Sequence, residues 1–101
     1  FFRGNALAAA GRPADAVGVF TDILEVDPDE IRAVDKLIEL YLRLEQFGRL
    51  LEVYKHKADL VVDPEEKKRL FLEVGAVYER EVGDIDKAIN TYQHILEFDP
   101  D

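Results

Sequence analysis

Residues 14–29 read ADAVGVFTDILEVDPD, and residues 86–101 read DKAINTYQHILEFDPD. An alanine, an aromatic residue, Ile-Leu-Glu and Asp-Pro-Asp occupy the same register in both segments. Equivalent residues lie 72 positions apart (88 − 16), which is too long for one helical repeat and suits two, because such repeats have periods of roughly 20–50 residues. The chain is therefore interpreted as an array of repeated helical units, an architecture that usually provides binding surfaces.

A third and weaker copy lies between these two segments. Residues 50–54 read LLEVY, in which an aromatic residue again follows an apolar one by four positions. The spacings between the three copies are 34 (50 − 16) and 38 (88 − 50) residues. Three copies of a two-helix unit predict about six helices in one repeat domain, with approximate repeats at 1–29, 30–63 and 64–101.

Turn and cap signals divide the chain further. The Asp-Pro steps at 27–28, 63–64 and 99–100 combine a favoured N-cap residue with a residue suited to the first helical position. A glutamate follows the first two aspartates by three positions, as in a capping box. Gly11 and Gly83 are suited to helix C-termini, because glycine readily adopts the left-handed conformation found there. The weaker equivalent in the middle repeat is the Gln-Phe-Gly turn at 46–48.

These signals predict helices near residues 2–10, 13–26, 29–44, 48–62, 65–82 and 85–98. The third repeat has one residue more before its glycine than the first, which predicts a distortion near 81–85. Small residues at Ala16, Ala88 and Gly75 are expected where the two helices of a repeat cross closely, since a larger side chain there would cost ~1–3 kcal/mol.

The order of small, aromatic and proline residues resembles the tetratricopeptide repeat (TPR) family. In that family an aromatic residue, a Leu-Gly pair and a Tyr lie on the first helix of each repeat, and Ala, an aromatic residue and a closing Pro lie on the second. The residues of the third repeat that match are Phe71, Val74, Gly75, Tyr78, Ala88, Tyr92, Ile95 and Pro100. Those of the first repeat are Gly4, Leu7, Gly11, Ala16, Phe20, Ile23 and Pro28. The middle repeat matches at Val34, Leu37 and Tyr41, with Ile38 in place of the small residue and Leu50 in place of the alanine. The resemblance implies an all-α, right-handed α-solenoid of antiparallel helical hairpins.

Composition narrows the classes of partner. The net charge of −9, from 22 acidic and 13 basic residues, disfavours nucleic acid and anionic membranes, which both require a basic surface. Such an acidic surface also keeps a protein soluble, and it favours a neutral or basic partner. No apolar run approaches the ~20 residues that span a bilayer, and no signal peptide is visible. The chain lacks Cys, and we expect it to be part of a longer repeat protein.

Catalytic and metal-binding chemistry has few candidates. His56 with Asp59 and His94 with Glu97 could each offer two metal ligands, but the two pairs occupy equivalent places in successive repeats and should not converge on one ion. The chain contains two Thr and neither Ser nor Cys, so hydroxyl and thiol nucleophiles are scarce. We expect no catalytic site, no cofactor and no metal, with both histidines on the surface.

The resemblance implies binding of a protein or peptide on a concave face lined by the first helix of each repeat. The residues expected on this face are Asn5, Ala8, Arg32, Asp35, Lys36, Glu39, Leu42, Arg43, Arg69, Leu72, Glu73, Ala76 and Arg80. A face of mixed charge with leucines could hold an extended or helical peptide. The alternative is an architectural segment without a ligand, on whose solvated face opposite charges pair along each helix.

Some TPR domains hold the C-terminal carboxylate of a partner with a clamp of basic and asparagine residues. Asn5 and Arg69 fall at clamp-like positions. Phe1, Lys36 and Glu73 replace, in turn, a lysine, an asparagine and a further basic residue of that clamp. We therefore expect no carboxylate clamp of this type.

Terminal repeats of a solenoid expose the apolar faces that neighbouring repeats would cover. The groups expected to be exposed here are Phe1 and Phe2 at one end, and Ile89, Tyr92, Ile95 and Leu96 at the other. We expect the chain to self-associate through these ends. Because its net charge opposes association, salt should strengthen it.

Overall fold

The computed structural model describes residues 1–98, except for the side chain of Phe98. All regular elements in this range are helical, and no strand occurs in it. The elements in chain order are α1 (Phe2–Ala9), α2 (Pro13–Val26), α3 (Ile31–Arg43), α4 (Phe47–Leu60), α5 (Pro64–Val77), a π-helical turn (Tyr78–Val82) and α6 (Ile85–Phe98). The predicted all-α class with six helices is confirmed. The Asp-Pro step at 99–100 lies outside the described residues.

The chain forms two compact units, Phe1–Val53 and a second that begins at Tyr54. In the first unit α2 packs against both α1 and α3, and in the second α5 packs against α6. The fully or nearly fully buried apolar side chains of the first unit are Ala16, Phe20, Ala33, Val34, Leu37, Leu40, Tyr41 and Leu50. Those of the second are Tyr54, Val61, Leu70, Val77, Ala88 and Ile95.

Each unit contains a helix pair that crosses at a glycine. A Cβ atom placed on Gly4 would lie 2.6 Å from Cζ of Phe20, and one placed on Gly75 would lie 2.6 Å from Cζ of Tyr92. Both distances are well inside van der Waals contact, so only glycine allows each ring to rest against the neighbouring helix backbone. The predicted close crossing at Gly75 is confirmed, and the two contacts are equivalent in the two units.

Left-handed residues end three of the helices. After α1, the amide of Gly11 (φ 76°) donates to the carbonyl of Ala8 and the amide of Arg12 donates to that of Leu7, at 3.2 and 2.9 Å. This pair of bonds is a Schellman motif. Gly83 has the same φ of 76° after the π-helical turn. The predicted roles of both glycines are confirmed.

The prediction for the middle repeat was wrong by a few residues. Glu45, with φ 56°, is the left-handed residue that ends α3, and the amide of Gln46 donates to the carbonyl of Tyr41 at 3.0 Å. Gly48 lies in the first turn of α4, where its neighbourhood is open. The turn was predicted at 46–48 because of its glycine, whereas the fold holds Glu45 in the left-handed conformation.

The start of α3 also differs from the sequence-based expectation. Asp27 does not cap α3, because it closes α2 and begins a turn in which the Glu30 amide donates to the Asp27 carbonyl at 3.2 Å. Glu30 is the N-cap, and its carboxylate accepts a hydrogen bond from the Arg32 amide. The helix therefore begins at Ile31, and the Asp-Pro step is a turn between helices.

The second Asp-Pro step behaves as predicted in part. Asp63 is the N-cap of α5 and Pro64 is its first residue. However, the Asp63 side chain accepts no capping hydrogen bond, so the capping box expected with Glu66 is absent from this helix end. Negative charge in the first turn still favours the helix through its dipole.

A π-helical turn at Tyr78–Val82 accommodates the extra residue of the third repeat. After this turn, the Asp84 amide donates to the Tyr78 carbonyl at 2.8 Å. This bond reaches one residue further back along the chain than the bond from the Arg12 amide to the Leu7 carbonyl after α1. The distortion predicted near 81–85 therefore occurs, but it starts three residues earlier.

Candidate functional site

A concave pocket of about 160 Å³ lies in the first unit and is formed by α1, α2 and α3. Its lining residues are Asn5, Ala8, Phe20, Lys36, Glu39, Leu40 and Arg43. We call it the α1–α3 pocket. Five of the seven lining residues (Asn5, Ala8, Lys36, Glu39 and Arg43) belong to the face expected from the sequence.

Helical spacing explains why these side chains converge. Asn5 and Ala8 are three residues apart on α1, and residues 36, 39, 40 and 43 share one face of α3 because they are spaced by three and four. Phe20 from α2 and Leu40 from α3 are almost completely buried and contribute the apolar lining of the pocket. The pocket thus combines an apolar lining with polar and charged groups.

The charged groups of the α1–α3 pocket are only weakly engaged. Lys36 Nζ lies 3.9 Å from Glu39 Oε2, and the two side chains are 42% and 66% exposed. An ion pair at this distance between solvent-exposed side chains contributes little to stability, so both groups can exchange partners at small cost. Arg43 is exposed in the last turn of α3, where a cation also favours the helix dipole.

Arg32 was expected on the same face but has a different role. Its guanidinium donates to both carboxylate oxygens of Glu30 at 3.1 Å and lies 4.5 Å from the ring centroid of Phe1. These hydrogen bonds lower the pKa of Glu30 and raise that of Arg32. Phe1 in turn packs against Phe20, with ring centroids 5.8 Å apart. Arg32 therefore secures the start of α3 and covers Phe1, and it does not line the pocket.

The rest of the expected face lies partly elsewhere. Asp35 and Leu42 of α3 do not line the α1–α3 pocket, and Leu42 is exposed. The remaining candidates are in the second unit, on α5 and the π-helical turn: Arg69, Leu72, Glu73, Ala76 and Arg80. Arg69, Leu72, Glu73 and Arg80 are exposed, and Ala76 is half-buried.

Glu73 is engaged within the second unit. It is hydrogen-bonded to the hydroxyl of Tyr54, a side chain that is only 3% exposed. Burial, with a further contribution from the Glu73 carboxylate, raises the pKa of Tyr54 to about 12. Glu73 thus satisfies a buried hydroxyl, a structural role that its spacing on α5 did not reveal.

The π-helical turn brings further polar contacts to the second unit. The Tyr92 hydroxyl donates to Glu79 at 3.1 Å, and burial together with this carboxylate raises the pKa of Tyr92. Lys87 Nζ lies 5.9 Å from the ring centroid of Tyr78. These contacts hold the turn between α5 and α6.

His94 contacts a carboxylate and an aromatic ring of the second unit. Nδ1 of His94 lies 3.2 Å from Glu97, and the ring of His94 stacks on that of Phe71 with centroids 6.3 Å apart. Among residues 1–98 no group of three or more potential ligands is placed to hold a metal ion. None of the helices in that range combines the length and the apolar character needed to cross a membrane.

Comparison with known proteins does not place the chain in a family. No protein-family model matches it, and no curated protein is significantly similar to it in sequence. Its own residues define it as an all-helical protein whose first unit carries a small pocket with an apolar lining and a charged rim.

Proposed function

We propose that the chain is a TPR-like protein-interaction module that binds a peptide or protein segment without catalysis. The α1–α3 pocket is the observation that carries this proposal. Its volume of about 160 Å³ is below the ~300 Å³ at which pockets for drug-sized ligands begin, and it suits one side chain of a longer ligand. Phe20 and Leu40 would contact the apolar part of that side chain.

The rim of the pocket fits the polar groups of a peptide. The amide of Asn5 can both donate and accept, and the cations of Lys36 and Arg43 can donate to backbone carbonyls. Glu39 offers an acceptor to amides or to a basic side chain. A neutral or basic segment would also avoid repulsion from the net charge of −9.

The repeat architecture proposed here is a right-handed α-solenoid of antiparallel helical hairpins. Its support is the recurrence of local structure: a glycine against an aromatic ring in both units, and left-handed residues at 11, 45 and 83. These three positions are spaced by 34 (45 − 11) and 38 (83 − 45) residues, the same spacings that relate Ala16, Leu50 and Ala88. The left-handed residues and the equivalent positions on the second helices therefore recur with the same two spacings.

The non-catalytic part of the proposal rests on the scarcity of nucleophiles. Of the two threonines, Thr91 is buried and its hydroxyl donates to the carbonyl of Lys87 at 2.8 Å. Thr21 is exposed on α2, outside the α1–α3 pocket.

A displayed peptide library selected against the whole chain would test the binding role. Peptides enriched on the wild type should bind Arg43→Glu at least about tenfold more weakly, since the reversal removes the hydrogen-bond donors that Arg43 offers to backbone carbonyls and puts a carboxylate acceptor in their place. Arg49→Glu is a matched control, because Arg49 is equally an exposed arginine of the first unit but does not line the pocket. Equal binding by both variants would show that the peptides do not use this pocket.

The alternative function is an architectural segment with no ligand of its own. It is favoured by the engagement of expected binding residues within the chain: Arg32 with Glu30 and Phe1, and Glu73 with Tyr54. Under this alternative the library selection enriches no peptide that distinguishes the wild type from Arg43→Glu.

A further inference from the structure

The size of the α1–α3 pocket limits which side chain it can take. Its volume of about 160 Å³ is close to the ~150 Å³ of an apolar protein cavity that binds benzene. A benzene-sized group therefore fits, whereas a smaller aliphatic side chain would leave part of the space without contacting atoms. Size alone thus favours a single six-membered aromatic ring.

The floor of the pocket is apolar and partly aromatic. Phe20 and Leu40 are 0% and 2% exposed, and Ala8, which also lines the pocket, is half-buried. A ring that enters the pocket meets the ring of Phe20, and two aromatic rings in tilted or offset contact gain more than their buried area alone provides. An aliphatic side chain in the same place would not make this gain.

Three side chains that were expected to be exposed near the ends of the chain are packed into the fold. The expectation that Ile95 is exposed was wrong, since it is buried. Tyr92 and Phe1 are half-buried, because Tyr92 packs on Gly75 and Phe1 packs on Phe20. The others of that group are exposed, as expected: Phe2, Ile89 and Leu96. The contact with Phe1 holds the Phe20 ring in place, so the aromatic floor of the pocket is already formed in the free chain.

Two cations at the rim also favour an aromatic ring. Lys36 is only loosely paired with Glu39, at 3.9 Å, and Arg43 is exposed. Ammonium and guanidinium groups are attracted to the face of an aromatic ring, an attraction that an aliphatic side chain does not provide. The first unit already contains one such contact, since the Arg32 guanidinium lies 4.5 Å from the ring centroid of Phe1. Lys36 and Arg43 can therefore both stabilise a ring that fills the pocket.

The distribution of polar groups distinguishes phenylalanine from tyrosine. Asn5, Glu39 and Arg43 are exposed and lie at the rim, where the backbone of a bound segment would pass. The far end of an entering ring instead reaches Phe20 and Leu40, whose side chains offer no hydrogen-bond partner. A tyrosine hydroxyl at that depth would be buried without a hydrogen bond, which is costly.

We propose that the α1–α3 pocket takes the side chain of a phenylalanine within the bound peptide or protein segment. This preference rests on the proposed function and names the residue by which the segment is recognised. The phenyl ring stands on Phe20 and Leu40. Lys36 and Arg43 lie against it from the rim, and the amide of Asn5 meets the backbone of the segment.

Three small amides test the preference without a peptide having to be found first: N-acetylphenylalaninamide, N-acetyltyrosinamide and N-acetylleucinamide. Each is titrated into the whole chain, ¹³C-labelled at its leucine methyl groups, and nuclear magnetic resonance follows the shifts of the Leu40 methyl signals. We expect the phenylalanine amide to bind about three- to tenfold more tightly than the leucine amide, because of the added contact between rings. It should bind at least about fivefold more tightly than the tyrosine amide, because of the unsatisfied hydroxyl.

A variant that fills the pocket locates the binding. Ala8→Leu puts a larger side chain into the pocket and should weaken binding of the phenylalanine amide at least about tenfold. The matched control is Ala6→Leu, since Ala6 is an exposed alanine of the same helix that does not line the pocket. Circular dichroism checks that both variants fold, and Ala8→Val takes the place of Ala8→Leu if that variant does not.

A double variant tests the two cations. Lys36→Gln with Arg43→Gln should reduce the preference for the phenylalanine amide over the leucine amide, because only the ring attracts the cations. Binding of the leucine amide should stay unchanged. A preference that survives in full would show that the cations do not contact the ring.

The titrations separate this preference from the peptide-binding role itself. A leucine or tyrosine amide that binds as tightly as the phenylalanine amide would overturn it, and so would Leu40 signals that none of the three amides moves. Enriched peptides that depend on Arg43 but contain no phenylalanine would also overturn it, while upholding peptide binding. Selective binding of the phenylalanine amide, with no peptide enriched from the library, would support the preference for a phenyl ring and contradict the peptide-binding role.

Discussion

Gly75 and Tyr92 show how one residue fixes the packing of a helix pair. Because a Cβ at position 75 would overlap the Tyr92 ring, Gly75→Ala should destabilise the chain by ~1–3 kcal/mol, through overpacking. Gly18→Ala is the control: Gly18 lies in α2 with open space around it, so alanine should stabilise by up to about 1 kcal/mol. Urea unfolding of both variants measures the difference. A Gly75→Ala variant as stable as the wild type would show that the crossing is looser than described.

Glu45 has a backbone conformation that is unfavourable for any residue with a side chain. At φ 56° it is in the left-handed region, which costs a non-glycine residue ~1–2 kcal/mol. Glu45→Gly removes that strain but adds entropy to the unfolded chain, and we expect a net gain of about 0.5–1 kcal/mol. Glu45→Ala keeps the strain and controls for the lost charge. The expected order of melting temperatures is Gly above Ala, and the reverse order would refute left-handed strain at this position.

Tyr54 should make stability depend on pH in the alkaline range. Its pKa of about 12 in the folded chain exceeds the ordinary value of 10 because the buried site disfavours the phenolate. A raised pKa stabilises the fold fully below pH 10, and this contribution is lost as the pH rises to 12. Two pKa units correspond to ~2–3 kcal/mol.

Tyr54→Phe measures that contribution. The variant cannot ionise at this position, so between pH 10 and 12 its free energy of unfolding should fall less steeply than that of the wild type. Tyr92, whose pKa is also raised, is present in both proteins and cancels in the comparison. Parallel curves for the two proteins would mean that Tyr54 titrates as an ordinary exposed tyrosine.

At the scale of elements, periodicity and glycine signals predicted most helix bounds to within a few residues. The helix α2 was predicted at 13–26 and α6 at 85–98, as observed. The start of α3 was not predictable in the same way, because an Asp-Pro step serves equally as a cap and as a turn. Its role as a cap or as a turn depends on whether the Asp27 or the Glu30 carboxylate accepts hydrogen bonds from the amides at the start of α3.

The π-helical turn is the place where we predict that the chain can be shortened by one residue. Gly75 follows Gly4 by 71 residues, whereas Gly83 follows Gly11 by 72, so the extra residue lies between 75 and 83. Deleting Glu81, an exposed residue of the turn, should allow a regular helix end like that of α1. We expect a melting temperature within about 5 °C of the wild type, or ~1 kcal/mol for a chain of this size.

Deleting Asn90 provides the matched control for that experiment. Asn90 is also exposed, but its removal turns Thr91 and Ile95 away from the buried side of α6. This deletion should abolish cooperative unfolding in thermal melts. If the Glu81 deletion were equally disruptive, the π-helical turn would not be the place that holds the insertion.

At the scale of the whole molecule, the sequence predicted which helix faces carry polar groups better than it predicted what those groups do. Asn5, Lys36 and Arg43 lie around one pocket, as their helical spacing indicates. The spacing could not show that Arg32 folds back onto Glu30 and Phe1, since that depends on where α3 starts. It also could not show that Phe20 lines the pocket, because its place in the repeat indicated only a core residue.

Binding of a segment of another protein in the α1–α3 pocket is the function proposed for this chain. Nuclear magnetic resonance of the ¹⁵N-labelled chain, titrated with a peptide enriched on the wild type, tests it most directly. We predict that the largest shift changes occur at the side-chain amide of Asn5 and at the backbone amides of Lys36 and Arg43. Changes confined to Ile89 and Leu96 of α6 or to Val19 and Ile23 of α2, with these three signals unmoved, would contradict the proposed function.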